Sequence, residues 1–290
     1  MNGENAMRPQ AAAMMALLNE PVLRTVAGCG DALGARLIEE GEFEIGFASG
    51  SSVSAHRLAL PDMDQLTFPE MRDAVEVIIA AAPSVLWVAD GDAGYGNAIS
   101  LQKTIRTYAR AGAAAVVIED KVWPRPIGNG GTKQVVDRDV ARLRCRTALQ
   151  ACREEGILLI ASTRARPSRG FEEALARVQD FVEEGADILF LESPHTEDEM
   201  RRYVEACQGR PSQVIRTPTG KHFMPSDEEL VEFGIRVVAY PLDLMACTIH
   251  AIRAALAGIK GGPKPPMATP AEIATAVRLT EYLALEERLS

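Results

Sequence analysis

The chain has 290 residues, about two average domains by length, although one (β/α)8 barrel commonly needs about 250. Apolar residues make up 47 % and charged residues 24 %, close to average soluble usage, which excludes a disordered, collagen-like or coiled-coil chain. Thirty-one Lys and Arg against 40 Asp and Glu give a net charge of −9, so no general cationic surface is available for nucleic acid or anionic lipid, and any anion must be gripped locally.

In chain order, Met1 to Pro9 lacks a basic-then-apolar leader. Apolar runs rich in Val, Ile and Phe then recur, as strands buried on both faces require. Leu23 to Ala27 is the first and Glu44 to Ser49 the second. Helical periodicity over Phe68 to Ala82 leads to Val85 to Asp90, and Ser100 to Ala111 leads to Ala114 to Glu119. Arg138 to Glu154 precedes Leu158 to Thr163, Glu172 to Glu184 precedes Ile188 to Ser193, and Gln213 to Thr217 and Arg236 to Tyr240 follow. Gly41, Gly112, Gly156, Gly185 and Gly234 stand directly before strands, where a left-handed residue caps a helix. The order is β then α throughout. Eight such units predict an α/β chain closed as a (β/α)8 TIM barrel, with an open doubly wound sheet as the rival.

One compositional break, Gly258 to Pro270, separates a barrel of residues 1–258 from a C-terminal arm and helix of residues 259–290. The helix, Ala271 to Leu289, is expected to pack outside the barrel or on a neighbouring copy. Cys29, Cys145, Cys152, Cys207 and Cys247 have no paired short spacing, and an odd count suggests a reducing, cytoplasmic setting. No stretch approaches ~18 uninterrupted apolar residues, so no membrane partner is expected.

In a barrel, chemistry gathers at the C-terminal ends of the strands. There the sequence places Ser49-Gly50-Ser51-Ser52, Asp90-Gly91-Asp92, Glu119-Asp120-Lys121 and Glu192. Acidic groups converging on one rim repel unless a cation or a shared proton holds them, and hard carboxylate oxygens suit Mg2+ or Mn2+. The bland alternative is that Asp and Glu simply favour loops and helix N-termini. Asp90 and Asp92 flank one residue on an extended segment, which points both side chains the same way, and Gly91, Gly94 and Gly96 are expected to let the backbone approach a ligand. The run Gly94 to Asn97 matches neither the dinucleotide nor the P-loop fingerprint. Ser49 to Ser52 offers hydroxyls and amides for a carboxylate, or is an ordinary serine-rich turn.

DGDAGYGN (Asp90 to Asn97) followed by IEDKVWP (Ile118 to Pro124) resembles the isocitrate lyase and phosphoenolpyruvate mutase superfamily. GDALGARLIEEGEFEIGFASG (Gly30 to Gly50), LPD (Leu60 to Asp62), FLESP (Phe190 to Pro194) and SDEELVEFGIRVVAYPLDL (Ser226 to Leu244) extend the likeness along most of the chain. The resemblance implies a Mg2+-dependent barrel that acts on α-keto or 2-hydroxy acids through an enolate. Carried over by position, Asp90 holds the metal most directly, with Asp62, Asp92 and Glu119 acting largely through its waters. Ser49, Gly50, Ser51 and Asp90 serve substrate binding, and Asp62, Lys121, Glu192 and Arg164 are the catalytic candidates. The resemblance also implies a homotetramer, a dimer of dimers that exchange their last helices.

Departures bear on the reaction. Carbon–carbon lyases of the superfamily carry a Lys-Arg-Cys-Gly-His or similar gate whose cysteine protonates the departing enolate; here Arg125-Pro126-Ile127-Gly128-Asn129 aligns with it, and isoleucine transfers no proton. The arginine common at the end of the fifth strand is Ser162, with Arg164 two positions on, either reaching the pocket or lying at the surface as a cation at a helix start. Gly30, in place of an aromatic residue, is expected to enlarge or loosen the pocket, and an asparagine of the seventh strand is replaced around Ile215 to Thr217. His56, His195, His222 and His250 share no ligand spacing, with His195 the best spare proton donor. Trp123 either closes over substrate or packs, and Glu197-Asp198-Glu199 reads as a solvated first helical turn.

Decarboxylation of an oxaloacetate-like acid is the preferred reaction. The alternatives are cleavage of a substituted malate, phosphonate chemistry of the phosphonopyruvate or phosphoenolpyruvate mutase type, and a non-catalytic member that binds a dicarboxylate. The expected partner is a small-molecule carboxylate substrate.

Overall fold

The computed structural model describes residues 6–128, 132–192, 194–217, 223 and 225–290. Asn129, Ser193 and His222, named above, lie outside the described residues. Helix α1 (Pro9–Asn19) precedes strand β1 (Arg24–Cys29), and α2 (Ala32–Glu40), β2 (Ile45–Ala48), α3 (Gly50–Leu58) and α4 (Phe68–Ala81) follow. Next come β3 (Leu86–Asp90), α5 (Ala98–Ala111), β4 (Ala115–Glu119), α6 (Arg138–Glu155) and β5 (Leu158–Thr163). Then α7 (Ala165–Arg169), α8 (Phe171–Glu184), β6 (Ile188–Leu191), α9 (Glu197–Ala206) and β7 (Ser212–Ile215) lead to α10 (Asp227–Phe233) and β8 (Val237–Tyr240). Helices α11 (Asp243–Ile259), α12 (Pro270–Ala276) and α13 (Leu279–Leu289) end the chain.

All eight strands are parallel and close on themselves in sequence order, with β8 paired to β1, so the open doubly wound sheet is excluded. Strand alternation sorts the side chains into two cores. Val26, Ile45, Val88, Val117, Ile160, Ile188, Phe190 and Val237 fill the barrel. Outward residues such as Trp87, Val116, Leu159 and Leu189 pack under the helices.

Four departures from the expected pattern have physical causes. The order is not β then α throughout: α1 comes first and sends Ala11, Met14 and Leu18 into the barrel core, while α3 and α4 share one connection and α7 and α8 another. Gly112, Gly156, Gly185 and Gly234 are left-handed caps, but Gly41 has φ −76° and the left-handed position passes to Glu42 at +58°. The final helix is two helices, broken where Arg278 adopts φ +54° and reaches Glu39 of α2. Strand β1 runs two residues past its expected end, to Cys29.

The arm lies against its own barrel, with Arg36 of α2 donating to the Ala276 carbonyl (3.3 Å). Between α2, α4 and the arm lies a groove of about 660 Å3. No helix among the described residues is long and apolar enough to cross a membrane.

Candidate active site

A cavity of about 220 Å3 opens at the C-terminal end of the barrel. Ser49, Ser51, Asp62, Asp90, Asp92, Glu119, Arg164 and Glu192 line it, as do Phe47, Phe190, Gln213 and Ile215 from the barrel interior. Eight of the ten sequence-derived site residues therefore meet in one place. Gly50 and Lys121 stand just behind it.

Asp90 ends β3 with one oxygen accepting from the Gly50 amide (3.0 Å) and the other from the Asp92 amide (3.2 Å). A Cβ on residue 50 would stand 2.9 Å from the Asp90 carboxylate, so this close approach requires glycine. The Gly50 amide is thereby engaged by Asp90. Burial first, and then the charges of Asp92 and Glu119, push the Asp90 carboxyl up to about 7.

Asp92 is not extended as expected; it is left-handed, with φ +49°. Its carboxylate still faces the cavity and pairs with Lys121. Gly91, Gly94 and Gly96 face Ile118, Leu101 and Ser100 rather than the cavity, so packing explains them in place of ligand approach. Asn97 caps α5 by accepting from the Ile99 and Ser100 amides, which excludes a phosphate cradle at that helix start.

Glu119 closes β4 and is level with Ser162 on β5, which is level with Phe190 on β6. Ser162 is fully buried and its hydroxyl has no partner. Arg164 supplies the guanidinium instead: it pairs with Glu119, holds Glu192 at 2.7 Å and lies over the Phe190 ring at 4.9 Å. The pocket position of Arg164 is therefore observed and the surface position excluded. Its backbone is fixed by a buried network in which Asp120 accepts from the Arg164 amide (2.8 Å), Thr163 Oγ1 (2.7 Å) and Arg177 (3.0 Å). Burial works to raise Glu119, yet the charges of Arg164, Lys133 and Lys121 overcome it and hold the carboxyl well below the usual range. Glu119 Oε2 is nonetheless a buried oxygen without a hydrogen-bond partner.

Asp62, on the loop between α3 and α4, accepts from Ser51 Oγ (3.0 Å). Burial raises it, but Lys133 and Lys121 prevail and its carboxyl stays low. Lys121 is buried away from the cavity, between Asp92 and Asp64 (2.8 Å). It pairs with Asp92 from behind the cavity and does not line it.

Two further residues of the site carry no motif of their own. Asp64 has φ +59°, a nearly inaccessible carboxylate, and accepts the Arg125 amide at 2.6 Å, tying the loop after β4 to Lys121. Its signal was a second acid two residues after Asp62. Lys133 lines the cavity 3.7 Å from Asp62 and 3.6 Å from Glu119; a lone lysine in a loop gave no signal.

Other expectations resolve around the rim. Gly30 does not enlarge the pocket, because a Cβ there would meet the Ser52 backbone at 2.4 Å and His56 at 2.6 Å. Trp123 packs edge-on against Tyr95, with centroids 6.0 Å apart. Ile127 is fully exposed, and His195 does not line the cavity.

Among the described residues, no three Asp, Glu, His or Cys side chains stand close enough together to ligate one ion directly. Mg2+ bound through one carboxylate and several waters does not require such a group. The oxygen-only donor set, the orphaned Glu119 Oε2 and the raised Asp90 carboxyl fit a hydrated divalent cation.

The family model described as phosphoenolpyruvate phosphomutase matches residues 17–260. The chain is 32 % identical over 283 residues to the chloroplastic carboxyvinyl-carboxyphosphonate phosphorylmutase of Arabidopsis thaliana, covering 94 % of this chain and 83 % of that protein. It is 36 % identical over 184 residues to the oxaloacetate decarboxylase of Paraburkholderia xenovorans, 63 % of this chain and 61 % of that one. Among solved structures, a 2,3-dimethylmalate lyase superposes with TM-score 0.88 at 28 % identity, covering 98 % of this chain and 100 % of that one. A phosphonopyruvate hydrolase complexed with oxalate and Mg2+ superposes with TM-score 0.85 at 26 % identity, covering 97 % and 99 %. Lyases and mutases thus surround the sequence, and the chain belongs to the phosphoenolpyruvate phosphomutase family.

Proposed function

We propose that the protein is a Mg2+-dependent lyase of α-keto or 2-hydroxy dicarboxylic acids, and that its reaction is decarboxylation of an oxaloacetate-like acid. Asp90 would hold the metal directly and Asp62, Asp92 and Glu119 through its waters, with Mn2+ as a substitute. When bound, the metal supplies a positive charge against the keto oxygen, on which negative charge grows as the adjacent bond breaks. Arg164 binds and orients the substrate, held in place by Glu119, Glu192 and the Phe190 face. Ser49 offers its hydroxyl to a carboxylate, and Ser51 would do so only by turning its proton away from Asp62. The carbon–carbon bond to the departing carboxylate breaks, its electron pair moves toward the keto carbon, CO2 leaves, and water supplies the proton that completes pyruvate.

Ile127 carries the choice of reaction. By the resemblance, the exposed Ile127 stands at the position of the cysteine that protonates the enolate in the carbon–carbon lyases, and loss of CO2 needs no such acid. Of the rim carboxylates, Glu119 and Glu192 are engaged by Arg164 and Asp92 by Lys121, and decarboxylation needs no free base. Likeness to a 2,3-dimethylmalate lyase favours a substituted malate as the second reading. A pyruvate-release assay with Mg2+ across oxaloacetate, 2-methylisocitrate, dimethylmalate and phosphonopyruvate decides: turnover of oxaloacetate alone is the expected result, and turnover of a substituted malate alone overturns it. Turnover of none supports a dicarboxylate-binding member.

We assign residues 1–258 to the barrel and 259–290 to an arm that serves assembly. Helix α11 buries no residue and exposes Ile249, Ile252, Leu256 and Ile259 at helical spacing. Such a stripe supports burial against another copy, and the homotetramer of helix-exchanged dimers that the resemblance implies would cover it, the arm then leaving the contacts it makes with its own barrel. Five free cysteines, four of them buried, agree with a cytoplasmic setting.

A further inference from the structure

Lys133 is anchored by its neighbours rather than by its own contacts. The Val122 amide donates to the Gln134 carbonyl (2.8 Å), the Val136 amide to the Asp120 carbonyl (3.0 Å), and Lys121 and Val135 form an antiparallel bridge. The backbone beside Lys133 is thus fastened to the end of β4. Its side chain crosses to the rim, where the ammonium lies 3.7 Å from Asp62 Oδ2 and 3.6 Å from Glu119 Oε2. Both separations exceed a hydrogen bond, and among the described residues Lys133 donates none. Charge alone holds it, between two carboxylates that line the cavity, beside the orphaned oxygen of Glu119. Lys121 and Arg164, by contrast, are buried and hydrogen-bonded.

We infer that Lys133 is a tethered counter-ion of the metal site: it neutralises Asp62 and Glu119 while no divalent cation is bound and withdraws from them when the water shell of the cation arrives. This rests on the metal reading above. Glu119 stays paired with Arg164 and Asp62 keeps the Ser51 hydroxyl, so removing the ammonium leaves a more negative site and one fewer cation for the metal to displace. Lys133 is a positioning residue that sets metal affinity below what the carboxylates alone would give.

Calorimetric Mg2+ titrations of the full-length wild type, Lys133→Met and Lys133→Arg test this, with melting temperatures of the same samples with and without Mg2+. Lys133→Met is expected to bind Mg2+ at least about tenfold more tightly than wild type, since a like charge within a few ångströms of the ion is gone. It should also melt lower without metal and gain more from Mg2+. Lys133→Arg should stay within about twofold of wild type, because the charge is kept. Equal or weaker Mg2+ binding by Lys133→Met, with wild type binding, overturns the counter-ion role and leaves the metal reading standing. Absence of Mg2+ binding in all three proteins overturns the metal reading and this inference together.

Discussion

Asp64 is the residue whose contribution is easiest to isolate. It holds a left-handed backbone and places a buried carboxylate between Lys121 and the Arg125 amide. Asparagine tolerates the same backbone and keeps the shape, so Asp64→Asn removes the charge and one of the two accepting oxygens. Breaking a buried pair leaves Lys121 undercompensated, and urea unfolding should report a loss of about 3–5 kcal/mol. A loss below about 1 kcal/mol would mean that Asp92 alone suffices for Lys121. Asp90 sets the pH response. Its carboxyl keeps the proton up to about 7 in the folded protein, against 3.8 for the ordinary group. Between those values the folded state holds a proton that the unfolded chain has released, so Asp90 makes the metal-free protein lose stability as the pH rises. Metal binding needs the carboxylate and runs the other way: Mg2+ affinity should be about tenfold weaker at pH 6 than at pH 8 and level off above. Flat affinity across that range would show that Asp90 is already ionised at pH 6. The strand-end residues of this site were legible because a barrel delivers such positions to one rim. Lys133 and Asp64 were not, since their place depends on how two loops cross. Arg164 was half legible: alternation put it on the side of Ser162, but only the fold shows that it turns inward to Glu119 and Glu192.

At the scale of elements, the strands were legible as Val- and Ile-rich runs, and each lies within two residues of its expected bounds apart from the end of the sixth on Ser193, outside the described residues. Helix α1 was not read as an element, because nothing about Pro9 to Asn19 shows that its apolar side fills a barrel end rather than a helix layer. The split of the final helix was likewise invisible, since Arg278 leaves the helical region for a contact with Glu39, far away in sequence. The loop after β4 carries a test of its own. If carbon–carbon cleavage were the reaction, the missing acid would cost about 10²–10⁴-fold, and Ile127→Cys should restore part of it. We expect no gain on 2-methylisocitrate or dimethylmalate, and unchanged or lower pyruvate formation from oxaloacetate. A tenfold or larger gain on either malate, with a parent inactive on oxaloacetate, would reverse the choice of reaction.

At the scale of the whole molecule, the barrel is closed and its interior filled, yet the last helices leave apolar side chains in water. Ile249, Ile252, Leu256 and Ile259 on α11, with Tyr282 and Leu289 on α13, are exposed in the single chain. Light scattering should give the mass of four chains, and Ile252→Asp should lower it; a monomeric wild type would refute the tetramer. On the proposed function, the acidic rim is built around a divalent cation held by Asp90. A Mg2+ titration by calorimetry, wild type beside Asp90→Ala, tests it most directly: the wild type should bind one ion per chain, and the variant, left with water-bridged partners, none measurable. Equal Mg2+ affinity in the two proteins would contradict the account.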